Sequence, residues 1–264
     1  MRGVPLPLLL AILSAGCDAP PVNWADPVAI AQPAGATRLV VDASGAPRYV
    51  ADTVPSAVPP GARGGCAASV VSAADSTSLY AVWWAARHDS SAALYAARSA
   101  DGGRSWTSAF AVDTSDVSTR GCSRPPPAVA VLGDDVFVAY AMAAPEGVGV
   151  FSAHTMGGMV HSPVAAIFGD KLVNVAIAAQ GDNVAVAYED PNGSRARIGL
   201  ALSGTQGHIF ESHLTASRDV DDATAPAVAL DGPWIAISWS LKRPAPSGGA
   251  TSRVVRVGHI SSAP

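Results

Sequence analysis

Apolar and polar positions alternate with a period of two in short runs along most of the chain, which is the pattern of half-buried β-strands rather than of helices. Ala92–Arg98 and Thr107–Val112 read as one such pair of strands. Three further pairs read Pro127–Val131 with Val136–Ala141, Val173–Ala178 with Val184–Glu189, and Pro226–Leu230 with Trp234–Trp239. Tight polar turns join them at Gly133-Asp134-Asp135, Gly181-Asp182-Asn183 and Asp231-Gly232-Pro233. These turns recur at intervals of about 50 residues, the length of one four-stranded blade of a β-propeller.

An earlier copy runs from Ala68 to Val112, with first strands at Ser69–Ser72 and Leu79–Ala85. The last copy has three strands, ending with Arg253–Ile260. Its missing outer strand is expected at the other end of the chain. Trp24–Ile30 has the same form as Trp106–Val112 and His161–Ile167, the strands that close the preceding copies. Pairing of the N-terminal strand with the last blade would close a ring and remove exposed edges. Arg38–Asp42 and Arg48–Ala51 make one abbreviated blade, followed by a Pro-rich connection, Val54–Gly65. The expected fold is therefore all-β: a β-propeller of four-stranded antiparallel blades, five in number, or six if the Pro-rich connection hides strands.

Composition agrees with this pattern. The chain has 264 residues, 49% hydrophobic and 14% charged, with 25 Gly and 21 Pro. It is too apolar for disorder and too punctuated for helices. A formal net charge of −4 supplies no nucleic-acid footprint. Residues 1–17 read as a lipoprotein signal peptide: Arg2, an apolar Leu6–Leu13, then Ser14-Ala15-Gly16-Cys17, with Cys17 the lipidated residue. An ordinary secretory signal is the alternative. Residues 18–23 are expected to be a tether and 24–264 a single domain, anchored outside the cytoplasm of a bacterial cell, at the inner or outer membrane, or secreted. Cys66 and Cys122 are then two cysteines in an oxidising compartment, and a disulfide between them is expected.

The octet Ser99–Trp106 spells S-x-D-x-G-x-x-W, with Ser99, Asp101, Gly103 and Trp106 at its fixed positions. It resembles the Asp box of sialidase-type β-propellers. A carboxylate accepting backbone N–H groups, a glycine at positive φ and a ring pinning the hairpin give each position a structural task. Degraded copies occur at Ser203–Phe210, where Thr205 replaces the acid, and at Thr155–His161, where only Gly157 and Gly158 remain.

The resemblance implies a site on the face opposite the box turns. Arg63, Arg87, Arg124, Arg218 and Arg243 fall in loops of that face and are the candidate ligand-binding residues. An arginine triad for a substrate carboxylate would come from Arg63, Arg124 and Arg218. Tyr188, Glu189, Asp190 and Asp219 are the candidate catalytic residues, although strand alternation makes Tyr188 a core residue beside an exposed acid. The six histidines show no H-E-x-x-H spacing, and His161 and His208 sit in the box remnants, where a structural role is expected. Asp219-Val220-Asp221-Asp222 reads as a solvated loop rather than a Ca²⁺ site. No metal or cofactor is expected. The chain reads as a monomeric propeller that binds a glycan or protein ligand without catalysis. A divergent sialidase or other glycosidase, and a structural or assembly lipoprotein of the envelope, are the alternatives.

Overall fold

The computed structural model describes residues 20–55, 57–156, 159–241 and 253–261. Cys17, Arg243, Gly157 and Gly158 lie outside them. Two short strands, β1 (Val22–Trp24) and β2 (Val28–Ile30), begin the described chain, followed by a two-stranded sheet of β3 (Ala36–Val41) and β4 (Pro47–Ala51). Next comes a four-stranded sheet of β5 (Val71–Ala74), β6 (Leu79–Ala86), β7 (Ala92–Ser99) and β8 (Phe110–Asp113). A third sheet contains β9 (Ala128–Leu132), β10 (Asp135–Ala144), β11 (Gly147–Met156), β12 (Met159–Val160) and β13 (Val164–Phe168). A fourth contains β14 (Val175–Gln180), β15 (Asn183–Glu189), β16 (Ile198–Ser203) and β17 (Ser212–Thr215). The fifth is built from β18 (Ala223–Asp231), β19 (Trp234–Leu241) and β20 (Arg253–Ile260).

All pairings are antiparallel. Both β1 and β2 add to β20, with Val22 opposite Ile260 and Val28 opposite Val255. The same two-piece outer edge occurs in the third sheet, where β12 and β13 both pair with β11. The expected tether at 18–23 ends earlier than its sequence suggests. Val22 is already in a strand and only 3% exposed, because its side chain packs into the apolar layer between the fourth and fifth sheets.

The core lies between sheets rather than inside one. One apolar layer joins Val82, Trp84 and Leu94 to Val138, Tyr140 and Phe151, from the second and third sheets. A second joins Phe137 and Val150 to Val186 and Tyr188, from the third and fourth. A third joins Leu200 and Ile198 to Ile237 and Trp239, from the fourth and fifth. A smaller one joins Leu39 and Tyr49 to Ala236 and Val255, from the fifth and first. Strands such as Leu79–Ala86 are consequently buried on both faces and read as apolar runs instead of clean alternation.

Between Val54 and Gly65 the described residues hold no strand, only the 3₁₀ turn Pro60–Ala62. This segment packs Ala62 against Trp83 and Ala97, and a Cβ at Gly61 would stand 3.4 Å from the Trp83 ring. The Pro-rich connection thus packs on one face of the second sheet.

The octet at Ser99–Trp106 forms the turn between β7 and β8. Asp101 accepts the Ser105 N–H at 2.8 Å and the Ser105 hydroxyl at 2.6 Å, and Ser99 Oγ accepts the Gly103 N–H at 2.8 Å. Trp106 Nε1 donates to the Gly103 carbonyl at 3.1 Å. Gly103 has φ +89°, and a Cβ there would stand 2.5 Å from Ala57 Cβ, so both conformation and space require glycine. The copy at Ser203–Phe210 keeps the same geometry with other chemistry. Ser203 Oγ accepts the Gly207 N–H at 3.1 Å, and Thr205 Oγ1 accepts the Ile209 N–H at 3.2 Å. A threonine hydroxyl therefore does, more weakly, what the carboxylate does in the intact octet.

Candidate functional site

Loops at one end of the fourth sheet enclose an open cavity of about 680 Å³. Lys171 and Leu172 come from the loop before β14, Glu189 and Asp190 from the end of β15, Arg195 from the loop before β16, and Asp222 from the loop before β18. Glu189 is held in place: its Oε1 accepts the Asn174 side-chain amide at 3.0 Å and the Ala225 N–H at 2.9 Å. Lys171 Nζ donates to the Gly193 carbonyl at 2.9 Å, and Arg195 to the Asp219 carbonyl at 3.1 Å. Asp190 caps a turn by accepting the Asn192 N–H at 2.9 Å, so Asn192-Gly193-Ser194 is a turn. The exposed Val220 stands at the rim. Two cations, three carboxylates and an apolar edge on one concavity match the chemistry of a polar ligand with hydroxyl donors and acceptors.

Tyr188 and Glu189 fall on opposite strand faces. Tyr188 is 3% exposed, packs in the layer between the third and fourth sheets, and is pressed against the backbone of Gly199. Burial, reinforced by the Asp190 charge, pushes its hydroxyl up to about 12. A nucleophilic tyrosine needs the opposite shift. Asp219 is exposed and pairs with Arg197 at 3.0 Å, while Asp221 pairs with Arg218 at 3.2 Å. Two of the three acids of the run are thus paired with arginines.

Among the described residues, the candidate arginines Arg63, Arg87, Arg124 and Arg218 make separate contacts. Arg63 is an exposed residue after the 3₁₀ turn, and Arg87 donates to the Thr114 carbonyl at 2.7 Å. Arg218 is half exposed beside Asp221. Arg124 is a correction to the sequence reading: its side chain is fully buried, bound to Asp116 at 2.9 Å and stacked 4.7 Å from the Trp84 ring. A guanidinium shut away in this manner has no ligand to reach. Trp84 and Asp116 enclose it, and the Trp84 indole N–H donates to the carbonyl of the following residue, Pro125, at 3.2 Å.

The innermost strands β3, β5, β9, β14 and β18 together line a separate channel of about 460 Å³. Its walls are mostly Ala, Val and Ile, with Arg38 as its one arginine and Asp52 and Asp231 as its acids. Among the described residues no tyrosine lines it.

Sequence reasoning passed over one cluster. His154 lies near the end of β11, His161 follows β12 and His208 sits in the turn between β16 and β17, and their rings meet with centroids 4.6 to 5.2 Å apart. The separations along the chain, seven and 47 residues, match no short metal motif, so only the packing of adjacent sheets brings the three together.

No protein-family model matches the chain, and no curated protein matches it. Among solved structures it is similar to a Trypanosoma rangeli sialidase, at 14% identity and TM-score 0.47, over 84% of this chain and 39% of that one. It is also similar to a subtype N11 neuraminidase-like protein of A/flat-faced bat/Peru, at 9% identity and TM-score 0.48, over 73% and 61%. A xylan β-1,4-xylosidase from Bacillus halodurans aligns at 10% identity and TM-score 0.43, over 80% and 45%. The chain spans less than two thirds of the length of each of these structures.

Proposed function

We propose that the chain is a five-bladed, ring-closed β-propeller that binds a glycan or protein ligand at the cavity formed by Lys171, Glu189, Asp190, Arg195 and Asp222, without glycosidase chemistry. The observation that carries this reading is the composition of the central channel: among the described residues, one arginine, Arg38, and no tyrosine. A sialidase-like reaction needs several arginines converging on a carboxylate beside an activated tyrosine. Arg124 and Tyr188, the residues best placed in the sequence to serve, are both spent in the core. Five sheets in sequence, with β1 and β2 on β20, support the five-bladed ring. The Cys66–Cys122 bond suits an oxidising compartment, and we assign Cys17 as the lipid anchor of an extracytoplasmic protein.

Three carboxylates on one cavity favour a second reading, a divergent glycosidase that uses a carboxylate pair. One experiment separates the two. The purified protein is applied to a glycan array and to fluorogenic sialoside, xyloside and arabinoside reporters. Binding that Arg195→Ala weakens, with no reporter hydrolysis, supports the first reading. Hydrolysis abolished by Glu189→Gln would overturn it in favour of the second.

A further inference from the structure

His154, His161 and His208 form the densest group of metal-ligating side chains among the described residues, and they lie apart from the cavity described above. One ring nitrogen of each lies within 4.8 Å of those of the other two. His154 and His161 stack nearly parallel, 4° apart, and His208 stands edge-on to both at 81°. The arrangement is built. The His161 N–H donates to the His154 carbonyl at 2.9 Å, and Phe137 stacks behind His154. His208 is presented by the turn that Ser203 and Thr205 hold, and its own N–H donates to the Thr205 carbonyl at 3.1 Å.

The group grades from inside to outside. His154 is 3% exposed and its Nε2 is buried with no hydrogen-bond partner, His161 is half-buried, and His208 is exposed. A buried imidazole nitrogen without a partner is costly, and an ion satisfies such a group. Imidazole ligands with no carboxylate among them select late first-row divalent ions over Ca²⁺ or Mg²⁺.

We infer that His154, His161 and His208 bind one Zn²⁺-type divalent cation at the hairpin ends of the third and fourth sheets, with a coordination position left open toward solvent on the His208 side. Zn–N bonds of about 2.0–2.1 Å put ligand nitrogens roughly 3.4 Å apart in a tetrahedron, so the rings close by little more than about 1 Å. Rotation of the exposed His208 and of the half-buried His161 supplies that movement, and it turns His161 out of its parallel stack on His154 so that both rings aim a nitrogen at one ion. The bound ion ties β11 and the β11–β12 hairpin to the β16–β17 turn, adding to the hydrogen bond between the His213 ring and the Ala166 carbonyl that already joins the two sheets.

The test uses the full chain without a polyhistidine tag, freed of metal by a chelator and titrated with Zn²⁺ and with Co²⁺. The expected result is one ion per chain, a Co²⁺ absorption spectrum of four-coordinate intensity, and a higher melting temperature with Zn²⁺. Loss of outer-shell partners alone weakens metal sites by 10–100-fold, so His208→Ala should weaken binding by about tenfold or more. His208 is exposed, so this variant keeps the fold. His88→Ala, at an exposed loop position elsewhere, should leave the titration unchanged. Zn²⁺ affinity unaltered by His208→Ala, or no saturable binding of either ion, would overturn the assignment.

Discussion

Arg124 Nη2 lies 2.9 Å from Asp116 Oδ2 with both side chains excluded from solvent, and the guanidinium caps the Trp84 ring at 4.7 Å. Asp116 also accepts the Ala92 N–H at 2.8 Å and the Ser118 hydroxyl at 3.1 Å, while Arg124 Nε donates to the Gly121 carbonyl at 2.8 Å. The pair therefore ties the long loop after β8 to the first residue of β7. Removing one partner strands a buried charge, which costs about 3–5 kcal/mol. Arg124→Ala is expected to lower the unfolding free energy by that amount in urea titration while leaving ligand affinity of the folded fraction unchanged. A stable variant with lost affinity would instead give Arg124 a role at a binding surface.

The two box turns predict different responses to acid. Asp101 is held well below the usual carboxylate range, first by the Ser105 hydroxyl and then by the Ser105 N–H and the Ser99 hydroxyl. A depressed pKa contributes stability that is present above the unfolded value, 3.8, and is lost as pH falls below it. Thr205 carries no charge, so its turn contributes nothing to that slope. Stability of the native chain should fall more steeply below pH 3.8 than that of Asp101→Asn, whereas Thr205→Val should lower stability equally at all pH values. Chemical denaturation at a series of pH values from neutral to strongly acid checks both.

Much of this architecture was legible because it depends on local chemistry. The turns at Gly133, Gly181 and Gly232 and the octet at Ser99–Trp106 announce themselves in a few residues each, and so does the resemblance of Trp24–Ile30 to the outer strands. The site was less legible. Arg124 looked exposed because arginines in loops usually are, and only the tertiary enclosure by Trp84 and Asp116 turns it inward. Tyr188 was readable as core from strand alternation alone. The histidine cluster was not, since His208 reaches His154 and His161 across a sheet boundary that no spacing in the chain records. Nothing in the Val54–Gly65 sequence decides between strand and connection, because its conformation is set by the packing of Ala62 on Trp83.

The Cys66–Cys122 bond joins the segment ahead of β5 to the loop ahead of β9, with Cα atoms 5.2 Å apart and a sequence separation of 56. Cys66 is buried and its N–H donates to the Trp84 carbonyl at 2.8 Å, so the bridge anchors the same tryptophan that Arg124 covers. Closing a loop of this length restricts the unfolded chain by about 4 kcal/mol in the chain-entropy model. Cys66→Ala with Cys122→Ala should lower the unfolding free energy by about that much, with the native circular dichroism spectrum kept under non-denaturing conditions. An unfolding midpoint that ignores reductant would mean that the thiols are free in the purified protein.

Tyr188 predicts the alkaline limit of the fold. Its hydroxyl is raised to about 12 by burial and by Asp190, against 10.0 for the free side chain. The sign follows from linkage: a raised folded pKa gives stability that is complete below pH 10 and is lost as pH climbs toward 12, because the unfolded chain ionises first. Phenolate absorbance near the tyrosine ionisation band should show a class titrating well above the others, released on unfolding. Tyr188→Phe keeps the ring that fills the space against Gly199 while removing the ionisable group. In that variant the loss of stability between pH 10 and 12 should become shallower, with little change at neutral pH. An unchanged alkaline slope would mean that another buried phenol, Tyr140 with its hydrogen bond to Asp113, governs the transition.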